Sequence, residues 1–183
     1  MLSQFTSQEG KQTLKDYFNV PHDVYPVGRL DYDSEGLLIF TNDKKVNNLL
    51  LDPKHKHQRE YWVQVDGSIN LDAVKKLQQG VIISVDGKQH QTKRCVVNFF
   101  ENDPIVPERN PPIRFRKNIP TSWISIKLTE GKNRQVRKMT AAVGFPTLRL
   151  IRYSIEQCTI EGLQPGEMRM LTEKKLYSMT RIR

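Results

Sequence analysis

The chain has 183 residues, a formal net charge of +9 and 37% hydrophobic residues. This length suits one domain, or one domain of two lobes, with a sizeable core. No apolar run approaches the roughly 20 residues of a membrane-spanning helix, and no signal-peptide pattern opens the sequence, so we expect a cytoplasmic protein. Cys95 and Cys158 lie far apart and outside any CxxC pattern, which indicates reduced, structural thiols.

The positive charge is concentrated in one quarter of the chain. Residues 107–152 contain eleven Lys or Arg and two acidic residues, so this segment carries the whole excess of +9. Arginine is abundant there, and its planar guanidinium suits contacts with phosphates and bases. The pattern predicts a basic face and a polyanionic partner. A solvated face that only keeps the protein soluble is the alternative.

The first half of the chain mixes helical and strand patterns. A capping-box pattern from Thr6 to Glu9 predicts a first helix. Two short strands, DVYPVG and GLLIFTN, flank an acidic turn, and the apolar run in the second predicts that it is buried. Asn42 is expected to cap a short helix, DKKVNNLLL. The strand EYWVQVDG, the helix LDAVKKLQQG and the strands VIISVDG and CVVNFF follow.

The second half begins with a long loop, residues 101–120, which contains five prolines. The strand SWISIKLTEG, a helix over NRQVRKMTAAVG with Asn133 as its cap, and the strand TLRLIRYSI come next. Strands dominate and do not alternate strictly with helices. We therefore predict an α+β fold with a mixed, mainly antiparallel sheet flanked by helices and loops.

The acidic turn, GRLDYDSEGLLIFTND, carries Asp31, Asp33 and Glu35 on alternate residues. This spacing matches the first half of a calcium loop, but position 12 is then Asn42 where a bidentate Glu should stand, and the flanks are predicted strands. The calcium-binding module is therefore disfavoured. A structural turn and a catalytic carboxylate remain open from these residues alone.

A basic segment, EGKNRQVRKM, joins a predicted turn to a predicted helix. It carries Lys132, Arg134, Arg137 and Lys138. A helix start offers unpaired N–H groups and a positive end, which suit phosphate, and Arg134 and Lys138 share one face of the helix. An arginine beside a carboxylate also keeps that carboxylate ionised as a nucleophile. Alone, the segment predicts only a generic RNA or phosphate contact.

Three segments together resemble, in order and spacing, the RsuA-type ribosomal RNA pseudouridine synthases. They are GRLDYDSEGLLIFTND, REYWVQVDG and LTEGKNRQVRKM…VGFPTLRLIR. The resemblance covers nearly the whole chain. It implies a pseudouridine synthase fold with two lobes around a central cleft, formed by a single catalytic domain, residues 1–183, without the N-terminal S4-like domain that is usual in the family. An additional strand upstream of Met1 in related proteins has no counterpart here, so we expect one core strand to be missing.

The resemblance also implies roles for individual residues. Asp31 matches the catalytic aspartate, and Tyr61 matches the tyrosine that stacks on the target uracil. Arg137 matches the basic residue that pairs with the catalytic carboxylate, Val136 an aliphatic residue of the uracil pocket, and Arg29 an arginine that helps to displace the flipped nucleotide. The remaining substrate-binding candidates are basic residues expected to contact the RNA backbone: Lys132, Arg134, Lys138, Arg114 and Arg116.

The implied reaction is the isomerisation of a uridine in large-subunit ribosomal RNA, either naked or in an assembly intermediate, by a monomer. A carboxylate is a competent nucleophile or proton acceptor, so we expect no metal and no cofactor. The target base must be extruded from folded RNA and stacked on an aromatic ring. A non-catalytic RNA-binding or ribosome-assembly protein with the same basic face remains the alternative.

Overall fold

A mixed six-stranded sheet forms the centre of the protein. The structure is a computed structural model and describes residues 1–113 and 120–182. The strands are β1 (Tyr25–Pro26), β2 (Glu35–Gly36), β3 (Phe40–Thr41), β4 (Arg59–Asp66), β5 (Ile82–Val85), β6 (Lys88–Gln91), β7 (Val96–Phe99), β8 (Thr121–Leu128), β9 (Thr147–Ile155) and β10 (Cys158–Thr159). The helices are α1 (Lys44–Leu51), α2 (Leu71–Gln79), α3 (Gln135–Ala142) and α4 (Glu173–Thr180), with 3-10 turns at Leu14–Asp16 and Pro53–His55. Across the described residues no helix has both the length and the apolar character to span a membrane.

The central sheet is antiparallel except at one short edge. Its strand order is β10-β9-β4-β8-β7, and β2 pairs in parallel with β9. Two further ladders, β1 with β3 and β5 with β6, are antiparallel hairpin-like pairs. This topology confirms the predicted α+β fold with a mixed, mainly antiparallel sheet.

Two hydrophobic cores lie on either side of the site described below. In the larger core, α2 and α3 cover the face of the sheet that carries alternate residues of β4 and β8, among them Val63, Val65, Ile124 and Ile126. The smaller core joins α1 to the end of β9 and to the C-terminal segment, through Val27, Val46, Leu50, Ile155 and Ile182. The alternation of apolar residues along β4 places one row of side chains in the larger core.

The acidic turn is attached to β9 through Gly36. Glu35 and Gly36 pair with Ile151 and Arg152, and the Leu37 N–H donates to the Arg152 carbonyl at 2.8 Å. Gly36 has φ +108°, and a Cβ added there would lie 2.3 Å from the Arg152 carbonyl oxygen. Only glycine allows the two backbones to approach this closely.

Three local predictions for the first half of the chain are wrong. The capping box belongs to Thr13 and Asp16, at the start of a 3-10 turn, and residues 6–18 contain no α-helix. Asp43 rather than Asn42 caps α1, because its carboxylate accepts from the Lys45 and Val46 N–H groups. The segment GLLIFTN splits into β2 and β3, and within its apolar run, residues 37–40, only Ile39 is buried.

Candidate active site

A cleft of about 310 Å³ opens between the two cores. Its lining combines side chains of the larger core, such as Leu128 and Leu150, with Val27 and Leu50 of the smaller one. Six of the predicted site residues line it: Arg29, Asp31, Tyr61, Lys132, Arg134 and Val136. They come from three separate segments of the chain, which the fold brings together.

Asp33 is the carboxylate of the acidic turn that is most strongly held. Both terminal nitrogens of Arg134 donate to its two oxygens at 2.9 Å, in a bidentate pair. The hydrogen bond from Arg134 holds the pKa of Asp33 below its ordinary value, and the charge of Arg137 acts in the same direction against desolvation. The same hydrogen bond raises the pKa of Arg134. The spacing of the three carboxylates predicted only a structural or metal-binding turn at Asp33 and did not indicate this role.

The arginine nearest to the Asp31 carboxylate is Arg134, and Arg137 forms no ion pair with it. Nη1 of Arg134 lies 3.8 Å from an Asp31 carboxylate oxygen. Nη2 of Arg137 donates to the Asp33 carbonyl at 2.7 Å and lies 3.5 Å from the Asp33 carboxylate. The predicted ion pair between Arg137 and Asp31 is therefore not formed in this structure, because the backbone of the turn already holds the Arg137 guanidinium.

Arg137 is nevertheless electrostatically linked to the turn. Desolvation lowers its pKa, and two carboxylates oppose that effect, Asp33 more strongly than Asp31. Its Nε is buried and has no hydrogen-bond partner among the described residues. Arg137 thus braces the back of the turn that presents Asp31.

Glu35 anchors the other end of the turn. Arg149 donates to its two oxygens at 3.0 and 2.8 Å, and Arg109 lies 3.2 Å from one of them. Arg149 also donates to the Pro107 carbonyl at 2.7 Å, which ties the proline-rich loop to the sheet. Each carboxylate of the turn therefore has an arginine neighbour, and those of Asp33 and Glu35 are in bidentate pairs with guanidinium groups, an arrangement that speaks against the calcium alternative. Within the described residues, no group of three or more potential metal ligands occurs.

The basic segment is held by a buried glutamate, Glu130. It accepts from the Gln135 side chain at 2.6 Å and from the Lys93 N–H at 2.8 Å, and lies 3.2 Å from His90 Nε2. The predicted Asn133 cap is wrong: Arg134 occupies the N-cap position with φ 53°. The Gln135 side chain instead accepts from the Lys132 N–H at 2.9 Å, since the chain turns before the helix begins.

The floor of the cleft is formed by the sheet and α3. Tyr61 projects from β4 on the same face as Val63, and Val136, 4% exposed, extends the apolar surface from α3. Arg152 of β9 also lines the cleft and is 4% exposed. It was not predicted as a site residue, although an arginine inside the apolar run TLRLIRYSI is a signal that it faces something other than solvent.

The remaining predicted residues are not all in the cleft. Arg29 and Lys132 are exposed at its edge. Lys138 is partly buried on α3 and, with Arg137, lies outside the cleft lining. Arg114 and Arg116 lie outside the described residues.

Comparisons with known proteins identify the family. The family described as RNA pseudouridylate synthase matches residues 3–142. The chain is 51% identical over 166 residues to ribosomal large subunit pseudouridine synthase E of Vibrio parahaemolyticus, covering 91% of this chain and 67% of that protein. It is 45% identical to the synthase E of Xanthomonas campestris, covering 93% of this chain and 89% of the relative. With ribosomal large subunit pseudouridine synthase B of Bacillus subtilis it shares 32% identity, over 94% of this chain and 64% of the relative.

A solved structure supports the same fold. The crystal structure of a pseudouridylate synthase superimposes with a TM-score of 0.73 at 24% identity, covering 91% of this chain and 65% of that one. At this identity the match establishes the fold, and the family assignment rests on the sequence matches. The resemblance seen in the three sequence segments is confirmed: the chain belongs to the RNA pseudouridylate synthase family of isomerases.

Proposed function

We propose that this enzyme converts a specific uridine of large-subunit ribosomal RNA into pseudouridine, with Asp31 as the catalytic carboxylate. Relatives at 45–51% identity bear the name ribosomal large subunit pseudouridine synthase E, which supports this choice of substrate. The observation that carries the proposal is the convergence of Asp31, Tyr61 and Val136 on one cleft. Residues 107–152, which carry the whole excess of positive charge, supply the charge that an RNA substrate requires.

The reaction is an isomerisation. The bond between N1 of uracil and C1′ of the ribose breaks, the base rotates, and a bond forms between C5 and C1′. The C5 hydrogen leaves as a proton and N1 gains one, so the composition of the nucleotide is unchanged. The two routes open to a carboxylate are addition to the nucleotide and removal of a ribose proton, and Asp31 serves in either one.

The cleft suits one extruded nucleotide. Its volume of about 310 Å³ lies at the lower end of the range for ligand pockets, about 300–1,000 Å³. The Tyr61 ring and Val136 offer an apolar floor on which a flipped base stacks. The Asp31 carboxylate is 33% exposed at the edge of the cleft, where a ribose enters with its base.

The charges around Asp31 suit its role. The Arg134 guanidinium lies 3.8 Å from the Asp31 carboxylate, so it places a positive charge beside that carboxylate without occupying it in a close bidentate pair. Asp33 takes the bidentate contact with Arg134 instead. We propose that Lys132, Lys138, Arg114 and Arg116 contact the RNA backbone, in line with their charge. We propose that Arg29 helps to displace the flipped nucleotide, in line with the family resemblance.

The experiment is to map pseudouridines in ribosomal RNA from cells with and without the gene, by carbodiimide-dependent stops in primer extension. We expect one stop in the large-subunit RNA to disappear with the gene. A plasmid with the wild-type gene restores it, and a plasmid with Asp31→Asn does not. If every stop persists without the gene, the proposal is wrong. Restoration by Asp31→Asn would favour the non-catalytic RNA-binding alternative.

A further inference from the structure

Arg152 is a buried cation with an unused hydrogen-bond donor. Its side chain is 4% exposed, and its Nε donates to the Leu37 carbonyl at 2.8 Å. Its Nη2 has no hydrogen-bond partner among the described residues. A buried guanidinium normally has its donors satisfied, and an unpaired one is costly.

Arg149, on the same strand, is a buried arginine whose donors are paired, and it can be compared with Arg152. Arg149 and Arg152 lie three residues apart on β9 and are 7% and 4% exposed. Arg149 forms a bidentate pair with Glu35 and a third bond to the Pro107 carbonyl. Arg152 has no carboxylate partner in the described part of the chain. Burial of Arg152 is therefore not explained by an ion pair.

The polar group that faces Arg152 is the Tyr61 phenol. Tyr61 and Arg152 are paired residues of β4 and β9, so their side chains project from the same face of the sheet, and both line the cleft. Desolvation lowers the pKa of Arg152, and the interaction with the Tyr61 side chain opposes that effect. Arg59, the other charged neighbour, lowers it further.

We propose that Arg152 is a positioning residue for Tyr61. Its guanidinium fixes the phenol oxygen, and through it the angle of the ring on which the target base stacks. It also keeps a positive charge beside that oxygen when the phenol hydrogen-bonds to the base. The effect on rate rests on the proposed function, whereas the contact with Tyr61 does not.

The test is a double-mutant cycle with Arg152→Met and Tyr61→Phe, read as single-turnover pseudouridine formation. We expect Arg152→Met to lower the rate about 10- to 100-fold, the range for losing one hydrogen bond to a charged group. In the Tyr61→Phe background the same change is expected to lower the rate by about twofold or less, because the oxygen that Arg152 holds is already absent. Equal losses in both backgrounds would overturn the proposal.

RNA affinity separates positioning from direct contact with the substrate. The dissociation constant for RNA is expected to stay within about threefold in Arg152→Met, since Arg152 acts within the protein. A loss of affinity that matches the loss of rate would mean that the free Nη2 binds the RNA itself, which overturns the proposal.

A spectroscopic readout is independent of activity. In protein labelled with ¹³C at the tyrosine ζ carbon, the Tyr61 resonance is assigned by its absence in Tyr61→Phe. We expect Arg152→Met to shift this resonance, and Arg149→Met, on the opposite face of β9, to leave it in place. An unmoved resonance in Arg152→Met overturns the proposal even if the wild-type enzyme forms pseudouridine. A shifted resonance, in a protein whose wild type forms no pseudouridine, would contradict only the proposed function.

Thermal unfolding guards against a general loss of structure. Because Arg152 is desolvated and incompletely partnered, Arg152→Met is expected to lower Tm less than Arg149→Met, which removes a buried ion pair. A larger fall in Tm for Arg152→Met would mean that Arg152 is kept for stability rather than for positioning Tyr61, and would overturn the proposal.

Discussion

The two walls of the cleft, the acidic turn and the sheet floor, differ in how their charged side chains are paired. On the acidic turn, Asp33 and Glu35 have bidentate arginine partners, and the Asp31 carboxylate has a guanidinium 3.8 Å away. On the sheet floor, Arg152 is buried without a carboxylate partner in the described structure. Ion pairs therefore fix the backbone of the turn, whereas the floor contains a buried guanidinium with a donor that is unpaired among the described residues.

The difference separates residues that build the site from residues that act in it. Satisfied pairs such as Arg149–Glu35 hold elements together. Incompletely satisfied groups in a cleft, such as the Arg152 guanidinium, are where function is expected, because the described part of the resting structure leaves one of their buried donors without a partner. Asp31 lies between these extremes, since its arginine neighbour is at long distance.

The largest effect is expected where the two walls join, at Gly36. Gly36→Ala places a Cβ 2.3 Å from the Arg152 carbonyl oxygen, and no flexible side chain is available to move away. We expect the free energy of unfolding to fall by about 3 kcal/mol, measured by urea denaturation. Gly87→Ala is the matched control: its φ is +76° and nothing lies within 4 Å of the added Cβ. Equal losses for the two variants would show that the clash with β9 is not what matters.

A smaller effect is expected from Asp33→Asn, which loosens the turn without touching the floor. The variant removes the bidentate acceptor of Arg134. Since the Asp33 side chain is 40% exposed, we expect a loss of only about 1 kcal/mol of stability. We expect a loss of about tenfold in rate, as Arg134 is freed to move onto Asp31. Asp103→Asn, at an exposed carboxylate in the long loop, controls for the change in net charge, and a rate equal to that control would contradict the account.

The smallest effect is the pH dependence of the same pair. The pKa of Asp33 is lowered in the folded protein, chiefly by the hydrogen bond from Arg134, from an ordinary value of 3.8. Its contribution to stability is therefore fully present above pH 3.8 and is lost as the pH falls through the lower, folded value. The difference in Tm between wild type and Asp33→Asn is expected to shrink below that pH. A difference that grows on acidification would have the wrong sign.

Much of the fold was predictable because it follows local patterns. Alternation in EYWVQVDG and SWISIKLTEG defined the two central strands, and β4 and β8 agree with them. The N-terminal helix was wrong because a capping pattern needs an amphipathic face to bury, and this segment forms only one 3-10 turn. The apolar run after Gly36 divides into two short strands because β2 pairs with β9 whereas β3 pairs with β1.

Part of the lining of the cleft was predictable from the sequence, whereas its ion pairs were not. Asp31, Tyr61 and Val136 share one cleft as the family resemblance implied. Sequence spacing did not predict the ion pair between Arg134 and Asp33 or the hydrogen bond from Arg137 to the Asp33 carbonyl. These contacts join residues about 100 positions apart and depend on the left-handed conformation of Arg134. Arg152 was missed because its environment is set by strand register, which one strand alone does not show.

The central claim is that Asp31 performs the chemistry and does not merely hold the turn. The direct measurement is the single-turnover release of tritium from large-subunit ribosomal RNA labelled at C5 of uridine, with purified wild type and Asp31→Asn at saturating concentration. We expect Asp31→Asn to lower the rate by more than about 1,000-fold, with RNA affinity and Tm close to wild type. Tritium release by Asp31→Asn within about tenfold of the wild-type rate would contradict the claim.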